Sequence, residues 1–154
     1  MLGFCIEEEN VKKFMGILLN GNAFDRLQLR SGEVMTRGSF TFDGRLNKEY
    51  DGIETQRAFC LWSEVKPNFY DLIKGKHLPK HIKLVFALDD EPVEKLHKNA
   101  KAAYINMVYE NNKINFTTGT AQKEFSLDKS LDEAWEEKVK LMFERLGIAI
   151  NILY

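Results

Sequence analysis

His77 and His81 stand four residues apart, the spacing that puts two metal ligands on one face of a helix. Pro79 lies between them and Gly75 comes just before, so a helix through both is excluded and a solvated loop is expected. The surrounding run, Lys74-Gly75-Lys76-His77-Leu78-Pro79-Lys80-His81-Ile82-Lys83, is locally basic. Lys74, Lys76, Lys80 and Lys83 are therefore candidate phosphate contacts for nucleic acid. No aromatic residue is interleaved for base stacking, and an exposed turn explains the run equally well. Asp89-Asp90-Glu91 offers hard oxygen ligands without the further spaced oxygens of a calcium loop, which favours a solvated acidic turn. The turn Asp43-Gly44-Arg45-Leu46-Asn47-Lys48 packs opposite charges and an amide behind an expected strand, where binding residues often sit. Asp43, Arg45, Asn47 and Lys48 are accordingly the candidate ligand site, set against ordinary exposed hairpin charges.

Motifs for enzyme chemistry are missing. No serine has a G-x-S-x-G frame, no G-x-x-x-x-G-K-[ST] loop occurs, and neither cysteine neighbours a usable histidine in sequence. Cys5 and Cys60 fall inside expected strands and form no C-x-x-C pair, so both read as buried free thiols in a reducing compartment. No catalytic residue, metal or cofactor is expected. With 154 residues, 44% hydrophobic and 29% charged, the chain suits one folded domain over residues 1–154. Its net charge of −1 gives no whole-surface field for nucleic acid or acidic membrane. No basic region precedes an apolar run at the start and no stretch of 18 apolar residues occurs, so a cytoplasmic protein without membrane contact is expected.

The elements that must position these residues follow from periodicity. Leu2, Phe4 and Ile6 alternate as a strand, and Val11, Phe14, Met15, Leu18 and Leu19 keep helical spacing up to Asn20-Gly21. A short strand over 27–29, a turn at Ser31-Gly32 and a strand over 34–42 complete a β-α-β-β order. A strand over 57–62 comes next, then a helix capped by Ser63 with Pro67 in its first turn and Gly75 at its end. Strands follow over 82–88, 103–109 and 114–118, with a charged surface excursion carrying a helical turn between Asp89 and Lys101 and a hairpin at Asn111-Asn112. Gly119 reads as a bulge ahead of a last strand over 125–127. Ser130 and Glu133 fit a capping box for a four-turn helix through Trp135, Val139 and Phe143 that stops at Gly147. Trp62 and Trp135, in phase with apolar neighbours, are expected in the core. The tail Ile148 to Tyr154 alternates like a strand, either paired in the sheet or part of an interface.

The expected fold is α+β, with two β-α-β-β-β units and an added C-terminal amphipathic helix and short strand. Residues 1–127 resemble a single domain of a DNA sliding clamp. The resemblance rests on Phe69-Tyr70-Asp71-Leu72-Ile73-Lys74, then Leu78-Pro79, then Ile82-Lys83-Leu84, and on the later segments Lys113-Ile114-Asn115-Phe116 and Lys123-Glu124-Phe125-Ser126-Leu127. Residues 128–154 and the excursion at 89–102 have no counterpart in a clamp domain. Glu7, Glu8 and Glu9 at the start of the first helix suit its dipole and spoil a phosphate-binding surface. The whole chain also resembles a small bacterial protein family of unknown function, through Phe42-Asp43-Gly44-Arg45-Leu46-Asn47-Lys48-Glu49 and Leu127-Asp128-Lys129-Ser130-Leu131 with Ala134-Trp135. The expected function is a non-enzymatic binding or protein-interaction module, with an unknown protein partner or self-association through a sheet edge or the tail Ile148 to Tyr154. A small ligand-binding protein or enzyme using Asp43, Arg45 and Asn47 is the alternative.

Overall fold

Alternation of apolar and polar residues puts one row of side chains per strand on a common face. In the computed structural model of the chain these rows join across one antiparallel sheet. The structure describes residues 1–47, 49–50, 57–75 and 77–154. Its elements are β1 (Gly3–Ile6), α1 (Glu8–Asn20), β2 (Gln28–Met35), β3 (Ser39–Asp43), α2 (Trp62–Ile73), β4 (His81–Ala87), α3 (Asp90–Leu96), β5 (Ala100–Glu110), β6 (Lys113–Gln122), α4 (Ser130–Leu146) and β7 (Ile150–Ile152). The seven strands lie in the order β3-β2-β4-β5-β6-β1-β7.

Register aligns the core. Phe42, Gly32, Leu84, Met107, Phe116 and Phe4 are successive cross-strand partners. Beside them run Val34, Ile82, Tyr109, Ile114 and Ile6, all buried. The helices cover this face. Phe14 from α1 and Phe143 from α4 close over Phe4 and Phe116, with Phe143 centroids 5.0 Å from both Phe4 and Phe116. From α2, Phe69 and Trp62 pack 5.1 Å apart, and Phe42 lies 4.4 Å from Phe69. The absent side chain of Gly32 seats the Phe69 ring, which would lie 2.8 Å from a Cβ there. Both indoles are buried as expected and neither leaves a donor unsatisfied. Trp62 donates to the Leu18 carbonyl and Trp135 to that of Tyr104, each at 2.9 Å. Cys5, Ser31, Lys83, Val85, Asn106 and Val108 stand on the opposite, half-buried to exposed face.

The α+β class stands, and the element order differs from two β-α-β-β-β units at identifiable places. Ser31-Gly32 is no turn: β2 runs straight through, because Gly32 is buried between Phe42 and Leu84, and the chain reverses at 36–38. Over 57–62 there are only two isolated bridges, Gln28 with Leu61 and Arg45 with Phe59, among the described residues. The second helix starts at Trp62, so Ser63 is not its cap and Pro67 falls in its second turn. The Glu64 carboxylate takes the capping role by accepting the Leu61 amide at 2.8 Å. The helical turn expected in the 89–101 excursion is present, as the seven-residue helix α3. Gly119 lies inside an unbroken β6, and the bulges fall at Leu29/Ser31 and Ala100/Ala102. Residues 125–127 form no strand. Asn99 bonds both the amide and the carbonyl of Glu124, and Gln122 bonds the Ser126 amide, so side chains hold this segment as a loop. Phe125 and Leu127 are 88% and 83% exposed there.

The hairpin at Asn111-Asn112 is as expected, with φ of 53° and 57° at the two residues. The S-x-x-E capping box is not formed. Lys129 precedes α4, and Ser130 turns its amide and hydroxyl to Asp128 instead. Gly147 ends the helix in the left-handed region, at φ 72°. The tail pairs with β1 as β7, yet Ile152, Leu153 and Tyr154 stay 57%, 55% and 63% exposed. No described helix is long and apolar enough to cross a membrane.

Candidate functional site

Leu78 is 76% exposed, and the local chain explains why. Beyond α2, Gly75 takes φ 136°, Pro79 is buried, and the Lys80 amide donates to the Met35 carbonyl at 2.8 Å. The segment is thereby tied down just beyond Leu78, whose side chain lines a groove. The groove holds about 340 Å³ between α1, the end of α2 and the ends of β4 and β5, and Val11, Met15, Ile73, Ile82 and Tyr109 line it with Leu78. Among the described residues Lys12 is the one charged residue of the lining.

The basic segment is split by the fold. Lys74 is exposed and pairs with Asp71 at 3.2 Å. Lys80 is exposed near the groove, whereas Lys83 stands on the opposite sheet face between Glu33 and Val108. Lys76 lies outside the described residues. His81 opens β4 and His77 lies in the preceding loop, so no helix face joins them. Asp89 accepts the Gln28 amide at 3.0 Å, and Glu91 pairs with Lys95 at 2.9 Å. Among the described residues no three potential metal ligands come together.

The Asp43 turn is ordered by its backbone. The Asp43 carboxylate accepts the Arg45 amide at 3.0 Å, the Leu46 amide bonds the Ala58 carbonyl, and the Cys60 amide bonds the Gly44 carbonyl. Asp43, Arg45 and Asn47 are exposed, and Lys48 lies outside the described residues. Next to this pairing, the Arg57 guanidinium grips Glu64 with two bonds of 2.8 and 2.9 Å. Arg57 thereby holds the Glu64 carboxyl below its usual range, helped by the Leu61 amide. Burial pushes the Cys60 thiol up, away from reactive thiolate. Both cysteines are half-buried free thiols, Cys5 in β1 and Cys60 outside any strand.

A depressed folded pKa stabilises the protein above the carboxylate range, and that stability is lost as pH falls through it. The pair is about a third exposed on both partners, at 30% and 38%, so solvent screening holds its contribution below about 1 kcal/mol. Glu64→Gln is therefore expected to flatten the decline of Tm between about pH 5 and pH 3. A variant whose Tm falls with acid as steeply as the parent's would show that the pair carries none of this dependence.

Two arrangements escaped the sequence reading. His97 Nδ1 accepts the Asn99 amide at 3.0 Å, so a neutral ring carries its proton on Nε2 and donates to Ser130 Oγ at 2.8 Å. The Ser130 hydroxyl in turn donates to Asp128 at 3.0 Å. Protons run from histidine to serine to aspartate, the reverse of what a serine nucleophile needs, and the trio fastens the start of α4 to the end of α3. The second arrangement is Arg30, whose guanidinium lies over the rings of Phe59 and Tyr104. Nothing in the sequence spacing brings those three residues together.

No curated protein and no solved structure matches the chain, so the sliding-clamp likeness rests on its residues alone. One family model matches residues 17–151, from the last turn of α1 into β7. The chain belongs to that family of unknown function, DUF5721.

Proposed function

We propose that the protein is a non-enzymatic protein-interaction module whose groove takes a short segment of a partner protein with apolar anchors and acidic flanks. Exposed Leu78 in the lining of the groove carries this reading. A leucine fixed in water by a buried proline and a backbone hydrogen bond gains roughly 1–2 kcal/mol when a partner covers it. The groove volume suits one or two anchoring side chains, as in helix-in-groove recognition. Lys12 in the lining and exposed Lys80 nearby, with no carboxylate among the described lining residues, select acidic flanks.

Fluorescence anisotropy tests it with labelled peptides bearing leucine and phenylalanine anchors on an acidic background, matched lysine-background peptides, and short DNA. Acidic peptides should bind, and Leu78→Asp should weaken them at least about tenfold. An exposed site makes little change in Tm the expected accompaniment. Equal affinity in the variant, or no binding at about 100 μM, removes the reading. Salt-sensitive DNA binding lost on Lys80→Ala would assign the segment to nucleic acid instead. Self-association along the three-residue edge strand β7 is a second reading, favoured by exposed Ile152. A dimer in sedimentation velocity that survives Leu78→Asp but not Ile152→Lys would select it.

A further inference from the structure

We propose that Arg30 anchors a separate site on the open face of the sheet, built to bind an oxyanion, the carboxylate or phosphate group of a small molecule. The position is made by a bulge. Leu29 pairs with Phe86 and Ser31 with Val85, so Arg30 is the extra residue and its side chain is re-aimed out of the ladder. The guanidinium carbon then sits 3.9 Å from the Phe59 ring centroid and 5.5 Å from that of Tyr104. Tyr104 alternates with core-facing Ile105, which places it on the open face.

One edge of the guanidinium is fixed. Nε donates to Gln28 Oε1 at 3.0 Å, and Gln28, only 1% exposed, is itself oriented by donating its amide to Asp89 at 3.0 Å. The terminal nitrogens are not engaged. Among the described residues they have no acceptor, and no buried side-chain nitrogen lacks a partner, so they reach solvent. Neighbouring carboxylates are committed elsewhere: Asp89 to Gln28, Asp43 to the Arg45 amide, and Glu64 to Arg57. A half-buried arginine held flat by rings, with its fork directed at water, has its rotamer freedom already spent. The fork matches the two oxygens of a carboxylate or phosphate in a bidentate pair. This site does not depend on the groove, which lies on the helix-covered side.

The test is a titration of the full chain with succinate, benzoate and inorganic phosphate against chloride at matched ionic strength, following by NMR the backbone amide signals of Ser31 and Tyr104, which parent and variants share. A saturable shift is expected, and the probe that saturates at the lowest concentration distinguishes carboxylate from phosphate. Arg30→Lys keeps the charge but loses the fork, and should bind at least about tenfold more weakly. No saturation by any probe up to about 50 mM overturns the proposal. So does equal affinity in Arg30→Lys, which would reduce binding to bulk charge. Phe59→Leu guards against a lysine variant that fails to fold. Weakened binding in it supports the stacked site, and unchanged binding overturns it.

Discussion

Phe143→Ala is expected to lower the unfolding free energy by about 3–5 kcal/mol, the largest loss from any single truncation in this fold. Phe143 is fully buried on α4 and meets three other rings at once. Its centroid lies 5.0 Å from Phe4, 5.0 Å from Phe116 and 6.0 Å from Phe14. Those rings come from β1, β6 and α1, so the cavity would open where four elements converge. Each element is held by other contacts, and none can slide in to fill the space. A loss of that size is a large share of the whole stability of an ordinary domain. Urea unfolding followed by tryptophan fluorescence measures it, and a midpoint shift worth less than about 1 kcal/mol would mean the four-ring cluster is not the centre of the core.

Gly44→Ala is expected to cost about 3 kcal/mol, near the upper end for overpacking. A Cβ on Gly44 would stand 1.7 Å from the Leu29 carbonyl oxygen and 2.8 Å from that of Arg30. Both obstacles are backbone, which cannot rotate away. The Gly44 amide bonds the Arg30 carbonyl at 3.0 Å, and its carbonyl accepts the Cys60 amide at 2.8 Å. Moving the chain outward therefore breaks bonds on both sides and pulls Phe59 off the Arg30 guanidinium. Gly38→Ala is the control, since a Cβ there meets nothing within 4 Å. Thermal unfolding of the two variants should separate them by more than 5 °C at this chain length. Equal midpoints would show that the 43–46 segment yields at no cost.

The sequence made the class of fold legible, because burial follows alternation. Phe4, Ile82, Leu84, Ile105, Met107, Ile114 and Phe116 all face the core on the strands where their spacing puts them, and α4 carries its apolar stripe over the expected residues. Errors came where a local signal met a tertiary demand. Ser31-Gly32 has turn chemistry, but Gly32 is buried under Phe69, and a missing side chain serves a strand there as well as a turn. Ser63 and Ser130 have capping chemistry, but Glu64, one residue on, and Asp128, two residues back, do the bonding. Phe125 and Leu127 alternate like strand residues, yet Asn99 and Gln122 hold their backbone in a loop. The candidate sites were less legible. Leu78 looked like part of a basic run, and only the buried Pro79 and the Lys80–Met35 bond turn it outward. Arg30 gave no signal, because its bulge and its two rings exist only once β2, β4, β5 and the 58–60 segment have met.

The place of β1 has a consequence for how the chain acquires this structure. β2 and β3, and likewise β4, β5 and β6, adjoin strands close in sequence and can pair through local turns. β1 cannot. Its hydrogen-bonded neighbours are β6 and β7, and the Leu2 amide finds its acceptor at Thr118, 116 residues on. During synthesis Phe4 must wait in water until most of the chain has been made. Closing so long a loop costs little more than closing one half its length, since the entropy grows only logarithmically. The delay is kinetic. Non-local pairing slows folding and leaves the β6 edge bare in the interval, which makes this edge the point at which a newly made chain is most exposed to aggregation.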